Sequence, residues 1–225
     1  MSTGAMQADH PVAQWLADRA LWPPGVQLPD GVRWLPRTAR CFPRGRPDSP
    51  AAGALVLAMR QQDDPLGPIR KVQLVTIGAD GGKAQHWPDG DKRTWGQAPG
   101  AYGLLTHWQL TATHSYDLHV CEGLADGLAL LAGLPYRERA AALDRTGWEY
   151  ARAGYVMAAV CAGTGGYGGI NPDLFGTVTL WPDADRAGIA AARKAAQWWA
   201  DLGRRVEIKH LPDGYDPAQY AKERR

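Results

Sequence analysis

From residue 118 onward, short apolar runs alternate with longer stretches of helical periodicity. Residues 118–122, 156–161, 177–182 and 205–211 read as strands, and 124–133, 137–151, 187–202 and 217–224 as helices. Strand-helix alternation of this kind predicts a parallel sheet whose crossover helices cover its faces. The first half follows a different pattern. Residues 11–21 carry Val12, Trp15, Leu16 and Ala20 at near-helical spacing, with Pro11 suited to a first turn and Pro23-Pro24 closing the segment. Residues 25–52 are rich in Pro, Gly and Arg and show little periodicity, which predicts extended segments and turns. Residues 54–60 and 69–77 are β-favouring runs, and Ala79-Asp80-Gly81-Gly82 turns the chain toward residues 83–87, so a small antiparallel unit is expected. Residues 104–113 alternate loosely enough for one or two strands leading into the second half. The expected fold class is α/β: residues 116–225 form a central parallel four-stranded sheet flanked by helices, preceded by a smaller mixed α+β subdomain at 1–115.

Composition changes this picture little. The chain has 225 residues, of which 45% are hydrophobic and 21% charged, so it can bury a substantial core. A net charge of +2 is too small to name a partner. Its distribution says more, because Arg33, Arg37, Arg40, Arg44 and Arg46 follow one another with no Asp or Glu among them. Two readings stand side by side, a solvated surface and a grip on a phosphate backbone. Cys41, Cys121 and Cys161 are too dispersed for a disulfide framework or a zinc ribbon, and read as free thiols in a reducing cytoplasm. No apolar run reaches the length of a membrane span, and no signal segment opens the chain, so a cytoplasmic protein without membrane contact is expected. The six histidines show no ligand spacing. Trp15, Trp22, Trp34, Trp87 and Trp95 could stack on bases, although packing is the preferred use, and Trp198 and Trp199 are assigned to helix packing.

The chemistry concentrates where strands end. Trp181-Pro182-Asp183-Ala184-Asp185-Arg186-Ala187-Gly188 places two carboxylates two residues apart after an apolar run, a spacing that puts both on one face if the strand continues. Leu118-His119-Val120-Cys121-Glu122-Gly123 ends a second strand in Glu122, with Asp126 one helical turn on. Ligands gather outside the carboxyl ends of strands in open α/β sheets, which would bring Glu122, Asp183 and Asp185 to one crevice. Single carboxylates at helix starts are commonly caps. Three together repel one another unless a cation compensates, and hard oxygen donors select Mg²⁺ or Mn²⁺.

Glu122-Gly123-Leu124-Ala125-Asp126 resembles the Glu-Gly-x-x-Asp motif of the Toprim family, the catalytic domain shared by primases, topoisomerases and some nucleases. Asp183-Ala184-Asp185 with Gly188 resembles that family's Asp-x-Asp motif, and Leu211-Pro212-Asp213-Gly214-Tyr215-Asp216-Pro217 resembles the segment that follows the last Toprim strand in primases. The resemblance covers about residues 116–223 and is greatest to the catalytic core of phage- and plasmid-type DNA primases. A weaker likeness in the first half rests on Lys83 and on Lys92-Arg93-x-x-Gly96. The resemblance implies a nucleotidyltransferase that makes short RNA primers from nucleoside triphosphates on single-stranded DNA. It implies Mg²⁺ or Mn²⁺ held by Glu122, Asp183 and Asp185, with Asp126 and Asp216 completing the metal environment. It further implies triphosphate contacts from Lys83, Lys92 and Arg93, and template contact is the phosphate-gripping reading of the arginine run. Many bacterial primases carry another acid two positions after the residue matched by Asp216, where this chain has Ala218. A Toprim nuclease and a non-catalytic nucleic-acid-binding scaffold are the alternatives. With no zinc module in the sequence, a separate zinc-binding module or a replicative helicase is an expected partner.

One motif points elsewhere. Gly163-Thr164-Gly165-Gly166-Tyr167-Gly168 fits a dinucleotide fingerprint, with Asp183 at the expected distance. The next strand starts too soon for the helix such a fold requires, so the loop is read as letting backbone, at Gly163 and Gly165, approach a nucleotide phosphate or a nucleic-acid chain.

Overall fold

The computed structural model describes residues 10–19, 28–29, 31–61, 67–96, 98–106, 117–134, 156–170 and 175–223. The helix expected at 137–151, the end of the 104–113 run and Trp22 lie outside the described residues.

Helix α1 (Pro11–Asp18) starts where expected: the His10 ring nitrogen accepts from the Val12 amide at 3.2 Å, and Pro11 occupies the first turn. Its buried stripe is Val12, Trp15 and Leu16. An antiparallel sheet follows in the order β1 (Val32–Pro36), β2 (Ala51–Met59), β3 (Lys71–Gly78), β4 (Lys92–Trp95). The aperiodic 25–52 stretch thus contains a true strand, β1. Its side-chain pattern is masked by Pro36 and Arg33, while its backbone pairs in register with β2 from Val32 opposite Leu57 to Pro36 opposite Gly53. β2 reads as a continuous apolar run because both faces are covered. Leu55, Leu57 and Met59 enter the main core, and Ala54 meets Leu74 and Trp87 on the other side.

The second sheet has the order β5-β7-β6-β8-β9, formed by β5 (Gly103–Leu105), β6 (Asp117–Cys121), β7 (Val156–Val160), β8 (Thr177–Leu180) and β9 (Val206–Ile208). Four of its strands, β7-β6-β8-β9, are parallel as expected. The sheet is one strand larger than expected, because β5 from the first half pairs antiparallel to β7. Alternation sorts the side chains: Cys121, Ala158 and Val160 face a core shared with α2 (Leu124–Leu131) and β2. Leu118, Val120, Met157, Ala159 and Cys161 face α3 (Arg186–Asp201) through Ala192, Ala195 and Trp199. A final helix, α4 (Pro217–Glu223), packs beside α2. Fully burying one leucine stabilises by about 1.5–3 kcal/mol. Leu118, Leu124, Leu128, Leu130 and Leu131, all without solvent exposure, therefore supply ample stability for a sheet end that carries uncompensated acids.

Candidate metal and nucleotide site

β6 and β8 are parallel neighbours, so their carboxyl ends open at the same edge, and the Trp181 amide continues the ladder by donating to the Val120 carbonyl at 2.8 Å. Glu122 stands one residue beyond β6. The aspartates depart from expectation: β8 ends at Leu180, so Asp183 and Asp185 lie in the loop beyond it, not on one strand face. Asp185 is the N-cap of α3, accepting from the Gly188 amide at 2.7 Å, and is exposed. The cap reading thus holds for one Asp185 oxygen. Gly188 has a second role. A Cβ there would stand 2.6 Å from the Asp183 carbonyl and 2.8 Å from Glu122 Oε1, so only glycine lets the first turn of α3 approach the glutamate.

Asp126 is fully occupied by backbone. One oxygen accepts from the Gly123 amide at 3.0 Å and the other from the Ala218 amide at 3.1 Å. A Cβ on Gly123 would collide with this carboxylate, which accounts for the glycine of Glu-Gly-x-x-Asp. Asp216 accepts from the Gln219 amide at 2.6 Å and so caps α4, with Pro217 as its first residue. Ala184, between the two aspartates, donates to the Tyr215 carbonyl at 2.8 Å and accepts from the Gly214 amide at 3.0 Å. The three acidic motifs are therefore tied by backbone hydrogen bonds into one rigid edge. Among the described residues, no three His, Cys, Asp or Glu side chains are gathered tightly enough to chelate an ion as they stand.

The edge is electrostatically unbalanced. Burial, then Asp183 and Asp185, push Glu122 up to about 7, opposed by the nearby Asp183 amide and Tyr167 hydroxyl. Asp126 also rises to about 7, through burial and then Asp216 and Asp183, although the Ala218 amide and Lys92 oppose the shift. Asp183 rises for the same reason, burial first and Asp216 next. Glu122 Oε1 and Asp183 Oδ1 are buried with no hydrogen-bond partner among the described residues. Cys121 is inert: its thiol is buried, shifted upward, and directed at the Gly123 and Ala159 carbonyls at 3.5 and 3.7 Å.

Of the expected cations, Lys92 reaches the acids from the first sheet, its Nζ lying 3.9 Å from where a Gly123 Cβ would stand. Arg93, next along β4, is exposed and stacks over Trp95 at 5.8 Å. Lys83 bridges to Ile77 and pairs with Asp91 at 3.9 Å. Arg37 is spent on structure, donating to the carbonyls of Ser49, Ala51 and Pro47, and Arg46 pairs with Asp48 at 2.7 Å. Arg33 bonds the Val32 carbonyl at 2.7 Å, while Arg40 and Arg44 are exposed with no ion pair among the described residues. At Gly163 (φ 112°) and Gly165 no described residue stands where a side chain would be.

Two residues near the acids carry no signal in the sequence. Half-buried Arg19 lies over Trp15 at 4.7 Å and feels Asp91 and Asp216. Tyr167, buried in the glycine-rich turn, brings its hydroxyl near Glu122. Below them the Trp181 indole donates to His119 Nδ1 at 3.0 Å, holding the two strand ends together and the buried imidazole neutral, its pKa pushed down to about 3 by burial.

No protein-family model matches the chain. Over 46 residues it is 48% identical to a DNA primase of Geobacillus stearothermophilus, a segment amounting to 20% of this chain and 8% of that protein. Among solved structures, the DnaG catalytic core aligns over 96% of this chain and 70% of its own at 18% identity and a TM-score of 0.48. The primase fragment of the bacteriophage T7 primase-helicase protein aligns over 84% and 69% at 17% identity and a TM-score of 0.43. For the Aquifex aeolicus primase, with its zinc-binding and RNA polymerase domains, the shares are 76% and 37%, at 19% identity and a TM-score of 0.41. The chain spans well under half of that primase fragment, and its curated match less than a tenth of the Geobacillus enzyme. In its acidic motifs and in the matched segment, the chain is similar to the Toprim catalytic core of DNA primases.

Proposed function

We propose that the chain is the catalytic core of a DNA primase, joining ribonucleotides on a single-stranded DNA template. The observation that carries this reading is the pair of buried carboxylate oxygens without a partner among the described residues, Glu122 Oε1 and Asp183 Oδ1, at an edge whose acids are pushed toward protonation by burial and then by one another. Oxygens in that state fit a hard divalent cation. Glu122 and Asp183 would hold Mg²⁺ or Mn²⁺, with Asp185 contributing the oxygen not used in its cap. The ion supplies neutralisation of charge on the phosphoryl oxygens. Glu122 takes the proton from the attacking 3′-hydroxyl, whose oxygen bonds the α-phosphorus as the bond to pyrophosphate breaks. Asp126 and Asp216 position the edge through the Ala218 and Gln219 amides. Lys92 steadies the triphosphate, with Arg93 behind it and Lys83 further along the first sheet. Residues 1–115 and 116–225 are proposed as the two working units, joined through β5, and a zinc-binding module or helicase as the partner that selects the template. No helix among the described residues is long and apolar enough to cross a membrane.

The test is a gel assay with labelled ribonucleoside triphosphates, a mixed-sequence single-stranded template and Mg²⁺ or Mn²⁺. Short labelled products are expected. Metal-dependent loss of the template without product overturns the primase reading in favour of a nuclease, and absence of both leaves a scaffold.

A further inference from the structure

The glycine-rich turn that resembles a dinucleotide fingerprint has a use apart from the acidic edge. It forms a 3₁₀ turn (Thr164–Gly169) against α3, and between the two lies a cavity of about 300 Å³. The helix wall is Ala191, Lys194, Ala195 and Trp198, a stripe at i, i+3, i+4 and i+7. The facing wall is Gly165, Tyr167 and Gly168. The void exists because glycine faces alanine. Packing among the described residues does not call for these glycines: a Cβ at Gly165 or Gly168 would meet none of them within 4 Å, and neither glycine has a positive φ. Gly166 and Gly169, in contrast, are crowded by Cys161 and Gly100. The chain thus omits side chains where the backbone faces open space.

The remaining walls have a definite chemistry. Trp198, assigned to packing by its place in the helix, is instead 41% exposed at the cavity, while its neighbour Trp199 is fully buried and anchors the helix, the two rings 6.4 Å apart. Lys194, exposed, is the only charged residue among the described residues lining the cavity. A large indole face and one ammonium, opposite a wall of glycine backbone, match a planar ring carrying an anion. A cavity of this size lies at the lower end of small-ligand sites.

We propose that this cavity binds one nucleotide, its base against Trp198 and its phosphate at Lys194, on the α3 face of the sheet and independently of the metal edge. Base-indole stacking and a phosphate-ammonium contact are the two interactions that the walls offer. The nucleotide is either a free monophosphate or one unit of a single strand, and the two sources have separate readouts.

Binding of adenosine 5′-monophosphate, by calorimetry, and of a short labelled oligothymidylate, by fluorescence anisotropy, is measured in EDTA so that the acidic edge is metal-free. Trp198→Ala is expected to weaken binding about 5- to 100-fold and Trp198→Phe to restore most of it. Lys194→Ala is expected to lower the salt slope for the oligonucleotide by about 0.7. Gly168→Leu, which adds a side chain in open space, is expected to abolish binding with an unchanged thermal midpoint, and so guards against misfolding. Loss of monophosphate binding in these variants assigns the site to a free nucleotide; loss confined to the oligonucleotide assigns it to a strand. No binding of either probe, or binding untouched by all of the substitutions, overturns the proposal. Primer synthesis by Gly168→Leu, read in parallel, keeps this outcome separate from the fate of the catalytic reading.

Discussion

The two sheets handle charge in opposite ways. The parallel sheet gathers Glu122, Asp183, Asp126 and Asp216 at one end and pins Asp126 and Asp216 through backbone amides, leaving one buried oxygen each of Glu122 and Asp183 without a partner among the described residues. The antiparallel sheet and its loops carry the arginines, and much of that charge is turned back on the fold: Arg37 binds three carbonyls, and Arg46 pairs with Asp48. Acids on short side chains at strand ends take their position from the backbone. Cations on long side chains reach whatever lies near, so their place in the sequence says little about their target.

The sharpest way to break this comparison is to neutralise the acids that lack partners. Asp183→Asn and Glu122→Gln are each expected to lower primer synthesis by about 10²–10³-fold in saturating Mg²⁺. The thermal midpoint in EDTA should hold or rise, since a buried, self-repelling charge is removed. Normal synthesis by Asp183→Asn in the gel assay would sink the metal assignment. A metal titration of Glu122→Gln weighs its two roles: a loss of rate well beyond the loss of affinity marks proton transfer, and affinity falling in parallel with rate makes Glu122 simply a ligand.

Asp126 behaves differently from these two because both of its oxygens are in use. Asp126→Ala orphans the buried amides of Gly123 and Ala218 and releases α4 from α2, at a cost of about 2–4 kcal/mol. Urea denaturation checks this. An unchanged midpoint, with activity abolished, would instead make Asp126 a ligand.

How much of this can be read in the sequence follows from the same physics. The four parallel strands and the edge acids are legible because strand-helix alternation and the Glu-Gly-x-x-Asp and Asp-x-Asp spacings are local patterns. β1 is not, since Pro36, Arg33 and a proline-rich flank hide its pairing, which depends on β2 about 20 residues away. β5 escapes notice as a fifth strand because antiparallel pairing to β7 is set by the tertiary fold. The aspartates do not share a strand face because the strand stops at Leu180; Pro182 cannot extend a ladder, and Asp185 prefers to cap α3. Arg19 and Tyr167 reach the edge only through the packing of α1 and the 3₁₀ turn. Trp198 differs from Trp199 by about 100° of helix rotation, which the adjacent pair of tryptophans conceals.

A smaller effect concerns pH. Glu122 is raised to about 7 in the fold, above its ordinary value of 4.5. The folded state therefore holds a proton that the unfolded chain has released, and stability falls as pH rises between those values. Asp126, also raised to about 7, adds to this loss, while His119, held near 3 in the fold, works oppositely between about 3 and 6.5, so whole-protein curves mix all three. The difference between wild type and Glu122→Gln isolates the carboxylate. In EDTA, wild type should lose ground to the variant from about pH 4.5 to 7 and stay level above. Added Mg²⁺ should close the gap at about pH 8, above the range in which the glutamate titrates. A pH-independent difference would show that Glu122 is not under this strain.

The smallest effect tests the basic side of the comparison. The arginine run divides into residues that the fold uses and residues that it leaves to solvent, so a triple substitution would mix two outcomes. Arg37→Ala removes bonds to the Ser49, Ala51 and Pro47 carbonyls and is expected to cost about 1–3 kcal/mol, with little change in the salt dependence of single-strand binding. Arg40→Ala with Arg44→Ala should leave stability within about 0.5 kcal/mol of wild type, as surface changes usually do. If these two exposed guanidiniums grip a backbone, the pair should weaken oligonucleotide binding across all sequences and flatten its log-log salt slope by about 0.7 for each phosphate no longer neutralised. An unchanged slope would return Arg40 and Arg44 to ordinary solvated surface. Lys92, which already faces the acids, would then be left as the cation through which the first sheet serves the site.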